Sequence, residues 1–298
     1  MPDFGRLITA MVTPFAADGA VDYDGAKRLA LALIDSGSDG LVVAGTTGEA
    51  STLTDEEKLR LFTEVKAAVG DRAAVIGNTG SNDTAHSVEL TRQAERTGVD
   101  GVLAVVPYYN KPTQEGMVRH FEAIASATTL PCVLYNLPGR TSVNMTAETA
   151  IRLSQVGNIT GVKEASGDLA QIARIIEESA DGFRVWSGAD EDTLLILAVG
   201  GYGVISVASH LIGRKLAAMI EDAVAGRTEE ASRAHRRLLP LIHALFFVTN
   251  PIPLKHALAH LGFPVGGLRL PLCEPDEATG ERIMAEVRRH QIDLPVTV

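Results

Sequence analysis

Eight short apolar runs, each followed by a longer amphipathic stretch, recur along the chain from Leu7 to about Ala225. They are LITAMVTP from Leu7, GLVVAG from Gly40, AAVIGN from Ala73, GVLAVV from Gly101, CVLYNL from Cys132, ITGVKE from Ile159, FRVWSG from Phe183 and GVISV from Gly203. Several are apolar at successive positions, the pattern of parallel strands covered by helices on one face and by packed side chains on the other. Strand alternating with helix limits the chain to an α/β architecture. An open doubly wound sheet shares part of this pattern, but eight units favour a closed (β/α)8 TIM barrel. The helix starts agree: Thr54 followed by Glu57 is a T-x-x-E capping box, and Asp55 and Glu56 suit the positive end of the helix between them.

Beyond Ala225 the rhythm changes. Helix-like segments near Thr228–Val248, Leu254–Leu261 and Asp276–Arg289 are separated by Pro251, Pro253 and Pro271. The expected organisation is a catalytic barrel over residues 1–225 and a C-terminal helical extension over 226–298.

Composition excludes several classes of partner. Hydrophobic residues make up 46% of the 298 positions and charged residues 21%, as in a folded globular chain. A formal net charge of -10 repels nucleic acid and anionic membrane, and Lys111, Lys163 and Lys255 are scattered rather than gathered into a basic tract. The beginning, MPDFGRLITAMVTP, lacks a basic segment leading into an apolar run and a small-residue cleavage site, and no stretch has the length of a membrane span. Cys132 and Cys273 stand far apart with no disulfide framework around them. Cytoplasmic residence is the default expectation.

A barrel keeps its chemistry at the C-terminal ends of its strands. Thr46 and Thr47 follow the second run, Tyr108 and Tyr109 the fourth, Tyr135 and Arg140 lie at or after the fifth, and Lys163 is near the end of the sixth. An unpaired ammonium inside the apolar run ITGVKEA is costly, and such a site can respond by lowering the amine's pKa. Two readings of Lys163 stand on position alone. It is either a nucleophilic amine, or it pairs with a carboxylate such as Glu49 or Glu164 or reaches solvent at the rim. The glycines of GTTGE, residues 45–49, would allow a tight turn exposing backbone N–H groups to a carboxylate, unless this is an ordinary strand-to-helix turn.

Other motifs carry no chemistry on this reading. Gly200, Gly201 and Gly203 look like a phosphate-cradling loop but precede the eighth strand, at the opposite face of a barrel. Asp190, Glu191 and Asp192 open the helix after the seventh strand, where capping is expected of them. His256 and His260 have helical metal-ligand spacing without a completing Cys or carboxylate, and no catalytic metal is expected.

Taken in order, GTTGE at 45–49, PYYN at 107–110, YNLPGRT at 135–141, GVKEASG at 161–167 and NPIP at 250–253 resemble the 4-hydroxy-tetrahydrodipicolinate synthase family, formerly dihydrodipicolinate synthases, along nearly the whole chain. The resemblance implies condensation of pyruvate with L-aspartate 4-semialdehyde in the diaminopimelate route to lysine, with no metal or organic cofactor. In that scheme Lys163 forms an imine with pyruvate. Tyr135 relays protons through the Thr46 hydroxyl to Tyr109, which the resemblance places in a neighbouring subunit. Thr47 binds the pyruvate carboxylate and Arg140 holds the carboxylate of the semialdehyde, a task suited to forked donors. Gly188 and Ile205 line the site through backbone and shape. The implied assembly is a homotetramer built from dimers.

N-acetylneuraminate lyase and the 2-keto-3-deoxy sugar-acid aldolases share the lysine and the GTTGE-like turn, but generally lack the arginine found here at position 140. A barrel that binds keto acids without catalysis is the reading from a different class. The resemblance also implies a second site for lysine at a subunit interface. Asn82 and Tyr108 are retained there, but Lys58 stands where histidine is common and His86 where an acidic residue would pair with the ligand amine. Weak or absent feedback inhibition is expected, unless Asp83 supplies a compensating charge.

Overall fold

A computed structural model describes residues 3–295. Eight parallel strands close into one barrel in sequence order: β1 Leu7–Ala10, β2 Gly40–Val43, β3 Ala74–Asn78, β4 Gly101–Val105, β5 Cys132–Asn136, β6 Ile159–Glu164, β7 Arg184–Ser187 and β8 Gly203–Ser206, with β8 pairing back onto β1. Each lies within one of the eight apolar runs. Around them run α1 Tyr23–Asp35, α2 Asp55–Val69, α3 Thr84–Glu95, α4 Gln114–Ala125, a short α5 Pro138–Thr141, α6 Ala147–Leu153, α7 Leu169–Glu178, α8 Thr193–Ala198 and α9 Ser209–Val224. The capping box at α2 is present: Thr54 Oγ1 accepts from the Glu57 N–H, and the Glu57 carboxylate accepts from the Thr54 N–H.

Successive strand residues face opposite ways, so two separate cores form. Ile8, Val42, Ile76, Leu103, Val133, Tyr135, Trp186 and Ile205 fill the barrel interior, while the opposite faces pack against the helices. Phe4 belongs to the interior set, and a Cβ on Gly101 would stand 2.5 Å from its ring. Trp186 fills the space left by Gly161, where a Cβ would meet its ring at 2.6 Å, and donates its indole N–H to the Gly5 carbonyl. Gly201 and Gly203 serve close packing here: added Cβ atoms would meet Ile196 at 2.4 Å and the Arg6 carbonyl at 2.0 Å.

After α9 come α10 Thr228–Ala244, α11 Ile252–His260 and α12 Glu277–Val287. Pro253 falls in the first turn of α11, where a missing N–H costs nothing. Among the described residues no helix is long and apolar enough to cross a membrane. The segment around α11 also reaches over the C-terminal mouth of the barrel, which puts it in contact with the strand-end loops.

Candidate active site

Lys163 and Tyr135 are register partners on neighbouring strands, both pointing into the barrel. The amine stands 4.3 Å from the centre of the phenol ring, and both side chains are buried. Trp186 is the register partner of Lys163 on β7. Beside it is Gly188, where a Cβ would come within 3.2 Å of the Lys163 Cγ. The glycine therefore leaves a channel for the lysine stem. Ile205 packs in the same interior layer from β8.

Neither Glu49 nor Glu164 pairs with Lys163. Glu164 is next in the strand and faces the helices, where its carboxylate accepts from the Asn136 amide at 3.1 Å and from the Ser166 N–H at 2.8 Å. Glu49 is occupied by Lys255. Burial pulls the Lys163 pKa from 10.5 to about 8; the nearby Asp190 carboxylate opposes that fall, and the Arg140 guanidinium adds to it. At pH 7.5 roughly a quarter of such an amine is neutral, against about one part in a thousand for a solvated lysine. The site thus holds an amine with a lone pair near neutrality. Burial also pushes the Tyr135 phenol up to about 12, against the pull of Arg140 and of the Thr46 hydroxyl, so it stays protonated and able to donate.

Asp190 is the residue whose place the sequence concealed. It was expected to cap the helix after β7, yet neither the turn at Asp190–Asp192 nor α8 receives a side-chain cap there. Its buried carboxylate instead accepts from the Ser206 hydroxyl, the Val207 N–H at 2.9 Å and the Ala208 N–H at 3.1 Å. Three orphan donors at the end of β8 outcompete the local helix, because leaving them unpaired in the interior would cost about 1–3 kcal/mol each.

The GTTGE segment forms a tight turn, the Glu49 N–H donating to the Thr46 carbonyl at 3.1 Å and the Ala50 N–H to the Gly45 carbonyl at 3.1 Å. Gly45 and Gly48 have ordinary φ; the left-handed residues are Ala44 at 53°, just before the motif, and Glu49 at 57°, its last residue. The glycines are needed for close approach, since a Cβ on Gly48 would lie 3.0 Å from the Met11 carbonyl and one on Gly45 3.1 Å from Val42. Thr13 donates to the Gly48 carbonyl at 2.7 Å. Thr47 is buried, and its hydroxyl accepts from the Asn250 side-chain amide at 2.9 Å. Arg140, on α5, donates to the Asn250 carbonyl at 3.2 Å. Asn250 is thus a site residue that the sequence marked only as part of NPIP.

Above lies a cavity of about 760 Å³. Thr46, Arg140 and Asn250 line it, as do Asp55, Lys58, Asn82, His86 and Tyr108. Lys163 and Tyr135 are not on its wall, being buried in the barrel interior. Tyr109 is not brought to the site either: it has φ 73° and is 88% exposed, facing outward. Among the described residues no group of His, Cys, Asp and Glu side chains is arranged to hold a metal ion.

Comparison with known proteins identifies the family of the chain. The model of the dihydrodipicolinate synthetase family matches residues 3–290. A 4-hydroxy-tetrahydrodipicolinate synthase from Dehalococcoides mccartyi (strain CBDB1) is 60% identical over 99% of this chain and 100% of its own length. The structure of the Cyanidioschyzon merolae dihydrodipicolinate synthase with lysine bound superposes with a TM-score of 0.94 at 50% identity, covering 96% of this chain and 97% of the other. That of the chloride-inhibited Acinetobacter baumannii dihydrodipicolinate synthase complexed with pyruvate gives 0.93 at 37% identity, over 99% and 100%. With a match along almost its full length and a closed barrel in common, the chain belongs to the dihydrodipicolinate synthetase family.

Proposed function

We propose that this family member acts as a 4-hydroxy-tetrahydrodipicolinate synthase through a pyruvate imine on Lys163, and that the buried, unpaired amine beside Tyr135 carries the reading. The neutral amine adds to C2 of pyruvate. The carbonyl oxygen leaves as water, and the protonated imine left behind withdraws electrons from the methyl group. Loss of a methyl proton gives an enamine, whose carbon adds to the aldehyde carbon of L-aspartate 4-semialdehyde while the aldehyde oxygen takes up a proton. Release of Lys163 then needs a second amine. The acceptor's own α-amino group is at hand and closes the ring as it displaces the lysine.

Tyr135 suits the proton transfers because its phenol stays protonated and lies against both the amine and Thr46. The Thr46–Thr47 turn receives the pyruvate carboxylate, and Arg140 at the cavity wall receives that of the semialdehyde. Gly188 and Ile205 shape the interior around the imine. No cofactor enters the scheme, since the imine nitrogen supplies the electron sink. Tyr109, exposed on a left-handed turn, suits completion of a neighbour's site in a homotetramer. Cytoplasmic residence goes with these soluble substrates.

Arg140 favours a small acidic aldehyde over a sugar acid as acceptor. Incubation with pyruvate and borohydride should leave a stable adduct on Lys163, located by peptide mass. Folded protein without an adduct would overturn the imine. An acceptor screen then separates synthase from sugar-acid aldolase by which aldehyde consumes the enamine.

A further inference from the structure

Glu49 and Lys255 form an ion pair with side chains only 1% and 2% exposed, Nζ standing 2.5 Å from Oε1. It joins the last residue of GTTGE to α11. Lys255 also donates to the Gly267 carbonyl at 2.8 Å and lies 4.1 Å from the centre of the Phe15 ring. The other Glu49 oxygen accepts from the Arg269 N–H at 3.0 Å. Two residues earlier in the turn, Thr47 is held by Asn250, which lies just before α11. The turn is therefore latched at two points to one segment of the C-terminal extension.

Stability gives little reason for this pair. Burying two charges costs about as much as their attraction returns, and apolar side chains of similar volume commonly do as well or better. What such a pair supplies is one discrete geometry, fixed by its surrounding hydrogen bonds. The turn needs it, because Ala44 and Glu49 both sit at left-handed φ, a conformation that persists in non-glycine residues only where the surroundings hold it.

We propose that Glu49 and Lys255 are positioning residues for the keto-acid half of the reaction, holding the Thr46–Thr47 turn where it receives the pyruvate carboxylate. The inference rests on the role given to that turn above. It makes the C-terminal extension a working part of the active site.

The test compares wild type with Glu49→Gln and with the double variant Glu49→Leu/Lys255→Met, which removes both charges and strands neither. Urea unfolding reports stability, borohydride trapping reports half-saturation by pyruvate, and steady-state rates give both KM values. The expected result is a rise of about tenfold in pyruvate half-saturation in each folded variant, with the semialdehyde KM moving less than roughly threefold. A folded double variant whose pyruvate half-saturation stays within roughly threefold of wild type would overturn the proposal, as would an equal rise in both KM values. Should the double variant not fold, Glu49→Gln, which keeps the side-chain volume, decides by the same criteria. Absence of trapping in wild type would instead strike the imine itself, so the two failures are distinct.

Discussion

Lys163→Met should make the protein more stable while abolishing its chemistry. The amine's pKa falls from 10.5 to about 8 on burial. At about 1.4 kcal/mol per pH unit, the folded state carries a penalty of about 3 kcal/mol for keeping the ammonium inside. The folded pKa lies below the unfolded one, so the penalty is complete below pH 8 and is relieved as pH rises from 8 towards 10.5. Methionine fills a similar volume without charge. A competing effect is loss of the lysine as neighbour to the Asp190 carboxylate, but that group already accepts from Ser206, Val207 and Ala208. Relief of the penalty should therefore win. In urea at pH 7 the variant should gain about 2–3 kcal/mol, and in thermal scans about 5 °C, with the gain vanishing above about pH 10. Equal or lower stability of Lys163→Met at pH 7 would refute the reasoning. It would mean that pairing with the Asp190 carboxylate offsets the cost of keeping the ammonium inside the folded protein.

Arg140→Ala should lower kcat/KM for the semialdehyde by about 10- to 100-fold, the worth of a charge-assisted hydrogen bond, and Arg140→Lys should restore little because the fork is lost. Steady-state kinetics with varied semialdehyde check this, and an unchanged value would remove Arg140 from the acceptor site. L-lysine should inhibit weakly or not at all: His86 Nε2 is 2.7 Å from one Asp55 oxygen and Lys58 Nζ 3.4 Å from the other, while Asp83 is spent capping α3. Two cation-capable groups thus share the nearby carboxylate, and inhibition at low micromolar lysine would refute this reading. His210 is fully buried, accepting from the Val12 N–H at 3.2 Å through Nε2 and lying 2.9 Å from the Val207 carbonyl through Nδ1. Burial lowers its pKa from 6.5 to about 4, so its neutral ring contributes stability that is complete above pH 6.5 and lost as pH falls to 4. Urea unfolding at pH 7 and pH 5 should differ by about 2 kcal/mol from this ring, and the difference should shrink in His210→Asn.

The sequence by itself determined the eight strands, their closure into a barrel and the helix start at Thr54, because these depend on local periodicity and on a cap a few residues long. It also brought Thr46, Thr47, Tyr135, Arg140 and Lys163 to one mouth, since topology alone puts strand ends together. It left undecided whether Lys163 was paired. Only the tertiary structure decided that, by facing Glu164 outward and giving Glu49 to Lys255. The same holds for Asp190, whose local signal as a helix cap was overridden by buried donors on another strand, and for Asn250, which joins Thr47 to Arg140 across the chain. Gly45 and Gly48 were legible as glycines of a tight turn, but that they are needed there for close packing, at ordinary φ, only the structure shows. The common reason is that hydrogen-bond and charge partners in an interior are selected by proximity after the barrel has closed, a condition no window along the chain contains.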